Sequence, residues 1–177
     1  MAYSSGNEEQ YEVWLRGPLP DISSYLQPAA HALLQVREDL RKHTENFPDK
    51  LLWSEPCGRA SIGFHLQHLT GVLDRMLAYD KERPLSKAQF AYLKKEGLSN
   101  EKLTTKQLVD SFDEKVEEAV DYFKTLPESI LTEKRTVGRK KLPSTVIGLL
   151  FHAAEHAQRH FGQLLVTISV LKTDEAK

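Results

Sequence analysis

Four long segments of the chain carry apolar residues at every third or fourth position, which is the pattern of a helix with one buried face. They span roughly residues 21–46, 60–80, 104–125 and 144–171, and a shorter segment of the same kind covers 86–96. No stretch between them alternates apolar and polar residues as a half-buried strand would. The pattern therefore predicts an all-α four-helix bundle with short connecting helices.

The N-terminal residues do not share this pattern. Residues 1–20 are polar and then interrupted by one glycine and two prolines, so we expect an irregular lead-in followed by a single domain over 21–177. Asp21 or Ser23 is the expected N-cap of the first helix, and Pro28 fits only within its first turns.

The final helix carries an unusual set of polar residues. At about 100° per residue, His152, His156 and His160 fall on one stripe. Glu155 and Arg159 are the only charged residues between positions 144 and 171, which predicts a helix buried nearly all round. A lone histidine on a helix is usually an ordinary core or surface residue, but three on one buried stripe need partners. The simplest partner is a metal ion.

The helix over residues 60–80 supplies a second set of imidazoles beside its core face. His65 and His68 share a stripe with Arg75 and Tyr79, which follow His68 by about two and three turns. One histidine from this helix and two from the final helix give three neutral nitrogen ligands and leave a position for water, as in a catalytic metal site. Imidazole ligands suit zinc, nickel or iron and do not choose among them.

Composition and charge exclude several classes of function. The net charge of −1 argues against a dedicated nucleic-acid binder, which normally carries a basic excess. No apolar run approaches the length of a membrane span, and the N-terminus lacks a basic segment followed by an apolar one. The single cysteine, Cys57, cannot form an internal disulfide and suits a reducing compartment. We therefore expect a cytoplasmic protein without nucleic-acid or membrane partners.

The final helix also allows a second interpretation. His152, Glu155 and His156 match the H-x-x-E-H pattern of inverted zincin peptidases, in which the glutamate is the general base. Those peptidases take a carboxylate far downstream as the third ligand, whereas only 21 residues follow His156 here. A short pattern without its structural context is weak evidence. A carboxylate-bridged di-iron bundle is excluded, because its Glu-x-x-His pairs are missing.

A basic cluster containing Arg135, Arg139, Lys140 and Lys141 precedes the final helix. Clusters of this kind are most often solvated surface. The cluster lies just before a helix N-terminus, where free backbone amides favour anions, so anion capture is the alternative interpretation.

Two motifs together resemble the DinB/YfiT-like superfamily of four-helix proteins. They are S-I-G-F-H-L-Q-H-L over Ser61–Leu69 and H-A-Q-R-H-F-G-Q over His156–Gln163, and the resemblance covers most of the chain from about residue 22. It implies a divalent metal bound by one histidine of the second long helix and two of the last, and often a homodimer. The ligands that it implies are His68, His156 and His160.

The resemblance also implies a range of functions. Characterised members are S-transferases or isomerases that use low-molecular-weight thiols, and others are described as metal-dependent hydrolases. We therefore expect a metal- and thiol-dependent S-transferase acting on a small electrophilic substrate. The alternatives are a metal-dependent hydrolase and a non-catalytic metal-bound sensor or stress-response dimer. The candidate cleft residues are Arg75, Tyr79, His152, Glu155 and Arg159, and the candidate cofactor-binding residues are His65 and Arg139.

Overall fold

The computed structural model describes residues 11–175, with side chains through Thr173. Half of the expected lead-in, residues 1–10, lies outside the described residues, and the rest contains a 3-10 helix, Val13–Arg16. The main elements are α1 (Gln27–Thr44), α2 (Ile62–Asp80), α3 (Lys87–Lys95), α4 (Thr105–Lys124), β1 (Lys134–Val137), β2 (Leu142–Thr145) and α5 (Val146–Glu175).

Four of the helices enclose the core of the protein. Helix α5 packs against α1 and α2, and α4 packs against the same two helices, so the order around the bundle is α1, α5, α2, α4. Leu33 of α1, Leu66 of α2, Phe112 of α4 and Leu150 of α5 are all fully buried between them. The predicted all-α four-helix bundle is confirmed, and α3 is the short connecting helix.

Side-chain caps explain where three of the helices begin. Ser61 accepts a hydrogen bond from the backbone N–H of Phe64 at 3.1 Å, which places the start of α2 where the sequence predicts it. Helices α3 and α4 both begin with a capping box, in which a Ser or Thr and a Gln three residues later satisfy each other's backbone amides.

Helix α1 begins later than predicted. Its N-cap is Leu26, which has no side chain that can cap, and neither Asp21 nor Ser23 serves. Ser23 instead donates to Glu128 at 2.8 Å, and the chain before the helix forms a turn. The reason is Pro28, whose missing N–H is tolerated only in the first helical turn. The helix therefore starts at Gln27, next to the proline.

A short β-hairpin, which the sequence pattern does not predict, precedes α5. Strand β1 pairs antiparallel with β2, and Lys134 faces Thr145 at the open end. Ser144 and Thr145, expected in the final helix, belong to β2. The Thr145 hydroxyl accepts a hydrogen bond from the backbone N–H of Gly148 at 3.1 Å, so it caps α5.

Helix α5 is not buried nearly all round, contrary to the prediction. One side fills the core, but Phe151 and Val166 on the outer side are 61% and 65% exposed, and Val170 is exposed as well. The sequence of α5 is apolar on both sides, and the bundle covers only one of them. Within residues 11–175, no helix combines the length and apolar character that a membrane crossing requires.

Candidate metal centre

Three imidazoles from two helices meet at the contact between α2 and α5. His68 lies on α2, while His156 and His160 lie one turn apart on α5, and one ring nitrogen of each falls within 4.8 Å of the others. The Nε2 atoms of His68 and His156 are 3.0 Å apart. Two nitrogens bound at about 2.0–2.1 Å to a tetrahedral ion lie about 3.3 Å from each other. The three side chains therefore fit a single divalent ion in number, chemistry and spacing.

The protonation of these side chains also suits a metal ligand. Burial first, and then the charges of neighbouring histidines, lower the pKa of His156 and of His160 to about 4. Each ring is therefore neutral near pH 7 and keeps a lone pair for coordination. The Nδ1 atom of His156 is buried and has no hydrogen-bond partner among the described residues, while its Nε2 faces His68.

A buried carboxylate orients His68. Its Nδ1 lies 2.7 Å from Oε2 of Glu96, which immediately follows α3, so the ring donates its proton there and directs Nε2 at the other imidazoles. Arg75 donates to the other oxygen of Glu96 at 2.5 Å. Burial alone would raise the pKa of Glu96, but hydrogen bonds from His68 and Arg75 outweigh it and hold the pKa below its usual value.

His65 supports His160 in a similar way. Its Nδ1 lies 3.0 Å from Nδ1 of His160, and its side chain is buried beneath the cluster. The opposite nitrogen of His160 is thereby left for the other two imidazoles. On the far side, the ring of Phe64 stacks on His68 with centroids 5.1 Å apart.

Helix α3 is held so that Glu96 reaches the site. The backbone N–H of Gly97 donates to the side chain of Gln67 at 2.9 Å, and the hydroxyl of Tyr92 donates to the backbone carbonyl of the same residue at 3.1 Å. Sequence reasoning missed Glu96. The lengths of the predicted helices were the available signal. Helix α3 runs back along α2 after a short turn, and this returns residue 96 to the level of His68.

A cleft of about 910 Å³ opens beside the cluster, and His68 and His156 form part of its lining. Four of the candidate cleft and cofactor-binding residues also line it, namely Arg75, Tyr79, Arg139 and His152. Glu155 and Arg159 do not line it in the described part of the chain, and they pair with each other at 2.6 Å. The guanidinium of Arg75 is already bound to Glu96.

A second group of possible ligands is His152, Glu155 and His156, whose ligand atoms also lie within 4.8 Å of one another. In this group His152 is largely exposed, and both oxygens of Glu155 accept hydrogen bonds from Arg159. The ring of His156 belongs to both groups and turns its Nε2 towards His68. The two groups are alternatives for one ion, and mutation can separate them.

Comparison with known proteins identifies the family. A family model described as the DinB superfamily matches residues 32–164, which is more than half of the chain. The chain belongs to the DinB superfamily. The matched range includes all three histidines of the cluster and Glu96.

A solved structure has a similar fold. It is a crystal structure of a Streptococcus pneumoniae protein from the Northeast Structural Genomics Consortium, 15% identical, with a TM-score of 0.62. The match covers 85% of this chain and 91% of that one. At this identity the likeness concerns the fold alone. No curated protein matches the chain.

Proposed function

We propose that this DinB superfamily protein is a metal-dependent enzyme whose ion is held by His68, His156 and His160. The observation that supports it is the meeting of three imidazoles beside a cleft, with His68 fixed by Glu96. A structural metal site is usually closed by four protein ligands, whereas three ligands leave a position for a reacting molecule.

The protein contributes ligands, orientation and a cleft that is apolar in part. His65 and Glu96 set the proton positions on His160 and His68, so that ring nitrogens with free lone pairs converge. A divalent ion bound there lowers the pKa of a coordinated thiol or water towards neutrality. The cleft gives a second reactant access to the same point, since His68 and His156 form part of its lining.

We infer that the reaction is S-transfer from a low-molecular-weight thiol to a small electrophile. The superfamily assignment and the open ligand position support this, and the same site with water in place of thiol would be a hydrolase. A site that binds metal without turnover would be a sensor. The S-transferase requires both metal and thiol for turnover, the hydrolase requires metal but no thiol, and the sensor has no turnover.

Metal analysis followed by a thiol-dependence screen tests the proposal. The purified protein should contain about one zinc, nickel or iron per chain, and halogenated aromatics or epoxides should react only with both metal and thiol present. His160→Ala should abolish metal and activity, whereas His43→Ala, a histidine outside both groups, should abolish neither. Metal-dependent but thiol-independent ester hydrolysis would favour the hydrolase. A chain that takes up no metal would overturn the proposal.

A further inference from the structure

The cleft beside the imidazole cluster has an apolar wall built from four parts of the chain. Helix α2, the segment leading into α3, α3 itself and strand β1 all contribute. The apolar residues that line it are Val72, Met76, Leu85, Phe90, Leu93 and Val137. Phe90 and Leu93 remain exposed, so this wall faces open space that a ligand can fill.

Positive charge adjoins the apolar wall. Arg83, Arg139 and Lys141 line the cleft and are exposed, and Glu82 is the acidic residue of the lining. The charge of Arg75 is compensated by Glu96. Among residues 11–173, no carboxylate lies within ion-pair distance of Arg83, Arg139 or Lys141. Within the described residues, the cleft therefore carries three cations without a carboxylate partner against one acid.

The β-hairpin places this charge against the wall. Arg135 of β1 donates to the backbone carbonyl of Asp80 at 2.7 Å, which fastens the hairpin to the end of α2. The guanidinium carbon of Arg139, in the turn, then lies 5.6 Å from the centroid of the Phe90 ring. A cation held on an aromatic face beside open apolar surface suits a ligand that has both an apolar body and a negative group.

We propose that the cleft takes a small organic anion, with an aromatic or alkyl body on the Phe90–Leu93 wall and a carboxylate beside Arg139 and Lys141. The proposal rests on the proposed function in treating the imidazole cluster as the reacting end. Polar thiols such as glutathione lack an apolar body, so this occupant is the electrophilic substrate rather than the thiol. The anionic group is a binding handle, and the electrophilic atom belongs to the body of the molecule.

Three probes that share one body and differ in charge test the proposal. They are 4-phenylbutyrate, 4-phenylbutan-1-ol and 4-phenylbutylamine, titrated into metal-loaded protein with dissociation constants measured by calorimetry or ligand-observed NMR. The carboxylate should bind about fivefold more tightly than the alcohol, and the amine most weakly, because exposed charge pairs contribute modestly. Raising the salt concentration should shrink the difference.

Matched variants locate the two parts of the site. Arg139→Gln with Lys141→Gln should remove the preference for the carboxylate and leave the alcohol unchanged. Lys140→Gln, which changes an exposed lysine of the same turn outside the lining, should have no effect. Leu93→Ala should weaken acid and alcohol alike, and Leu98→Ala, an exposed leucine outside the cleft, should weaken neither.

Equal binding of the acid and the alcohol, or an equal loss in Lys140→Gln, would overturn the proposal. Metal content measured on the same samples separates this result from failure of the proposed function. A protein that prefers the acid but takes up no metal would refute the metal site alone. A protein that binds metal without preferring the acid would refute only the anion site.

Discussion

His68 donates its Nδ1 proton to Glu96, and this hydrogen bond decides which of its nitrogens faces the other imidazoles. At the scale of single residues, the proposed metal centre therefore includes side chains beyond its three proposed ligands. The Nδ1 atom of His65 has the part of the acceptor for the Nδ1 proton of His160, and Arg75 holds Glu96 from the other side. Variants at the proposed ligands and at Glu96 test different parts of this centre.

Two variants on α5 separate the two possible ligand groups. His160→Ala should abolish tight metal binding, because a three-imidazole site loses a ligand, whereas His152→Ala should weaken binding by at most about 10–100-fold. His156 belongs to both groups, so its loss decides nothing. Metal content after dialysis and affinity by chelator competition measure both effects. A site that stays full in His160→Ala and empties in His152→Ala would favour the peptidase-like group.

Replacing the buried carboxylate tests its role in orienting His68. Glu96→Gln should lower metal affinity by about 10–100-fold without replacing a proposed ligand, because an uncharged amide accepts the Nδ1 proton of His68 more weakly than a carboxylate does. It also leaves the buried Arg75 without its anion, so the metal-free protein should unfold at a lower temperature. Glu101→Gln, an exposed glutamate a few residues later, is the control. An unchanged affinity in folded Glu96→Gln would contradict this role.

The sequence predicted part of this centre. Histidines on one helical stripe are visible in a pattern, because their spacing is local, and the resemblance supplied His68 from the other helix. Whether these three bind an ion stays a prediction until metal is measured. Glu96 was missed because nothing near it in sequence distinguishes it from a solvated glutamate. Its role depends on how α3 folds back over α2, which is set by contacts through Gln67 and Gly97.

At the scale of the elements, α3 can approach α2 closely because α2 has a glycine at the crossing. A Cβ atom at Gly71 would collide with Oε1 of Glu96 and would lie 2.7 Å from a guanidinium nitrogen of Arg75 and 2.9 Å from the ring of Tyr92. The absence of a side chain there makes room for the Arg75–Glu96 pair.

Gly71→Ala should therefore weaken metal binding, although it touches no ligand. The added methyl group displaces Glu96, and the orientation of His68 is lost with it. Gly162→Ala on α5 is the matched control, because its Cβ meets no atom within 4 Å, and the better helix propensity should stabilise the protein by up to about 1 kcal/mol. Affinity and melting temperature of the two variants give the comparison. Equal metal affinities would show that α3 can shift without consequence.

Asp80, at the end of α2, contacts both α4 and β1. Its buried carboxyl group predicts how the stability of the protein depends on pH. Its side chain is 1% exposed, Oδ2 accepts from the hydroxyl of Tyr122 at 2.8 Å, and Oδ1 has no partner among the described residues. Burial raises the pKa of Asp80, although the Tyr122 hydrogen bond and the charges of Arg135 and Lys81 oppose it. The folded state therefore binds this proton more tightly than the unfolded state, and stability falls as pH rises through the raised pKa.

Asp80→Asn should remove this pH dependence. Asparagine keeps an acceptor for Tyr122 and removes the buried charge, so its free energy of unfolding at pH 7 should exceed that of the original protein. The difference should shrink as pH falls below the raised pKa. Urea unfolding between pH 4 and 8 measures it, with Asp121→Asn on the exposed face of α4 as the control. A variant that is less stable at pH 7 would show that the charge itself is needed there.

The elements that the sequence misplaced have a common physical cause. The hairpin strands are four residues long, and β2 contains Pro143, so neither carries a strand pattern. They form because Arg135 binds the end of α2, which is a distant contact. Helices α2, α3 and α4 were predicted closely because their caps are local, and α1 was misplaced because a cap at Asp21 or Ser23 lies too far before Pro28.

At the scale of the whole molecule, the outer side of α5 is the surface that the bundle leaves uncovered. Phe151, Val166 and Val170 lie along it, with the exposed Gly162 between them. Glu155 and Arg159 lie on the same side, so two antiparallel copies would offer each other opposite charges. We propose that a second copy of this chain packs on this surface.

A lysine introduced on this surface should prevent dimer formation. Val166→Lys should give the mass of one chain by light scattering, where the original protein gives that of two. Leu98→Lys, an exposed leucine away from α5, should leave the mass unchanged. If the original protein is already a monomer at high concentration, the outer face of α5 has another role.

The position of the proposed ligands along the chain has a consequence for how long the folded, metal-bound state would last. His68 and His156 are 88 residues apart, so they meet only after a long loop has closed and α2 has docked on α5. An ion bound between them adds stability that is largely absent while the chain is still folding. Interactions of that kind slow unfolding and leave the folding rate almost unchanged. Loss of the ion would therefore shorten the lifetime of the native protein, and with it the resistance to proteases that attack opened chains.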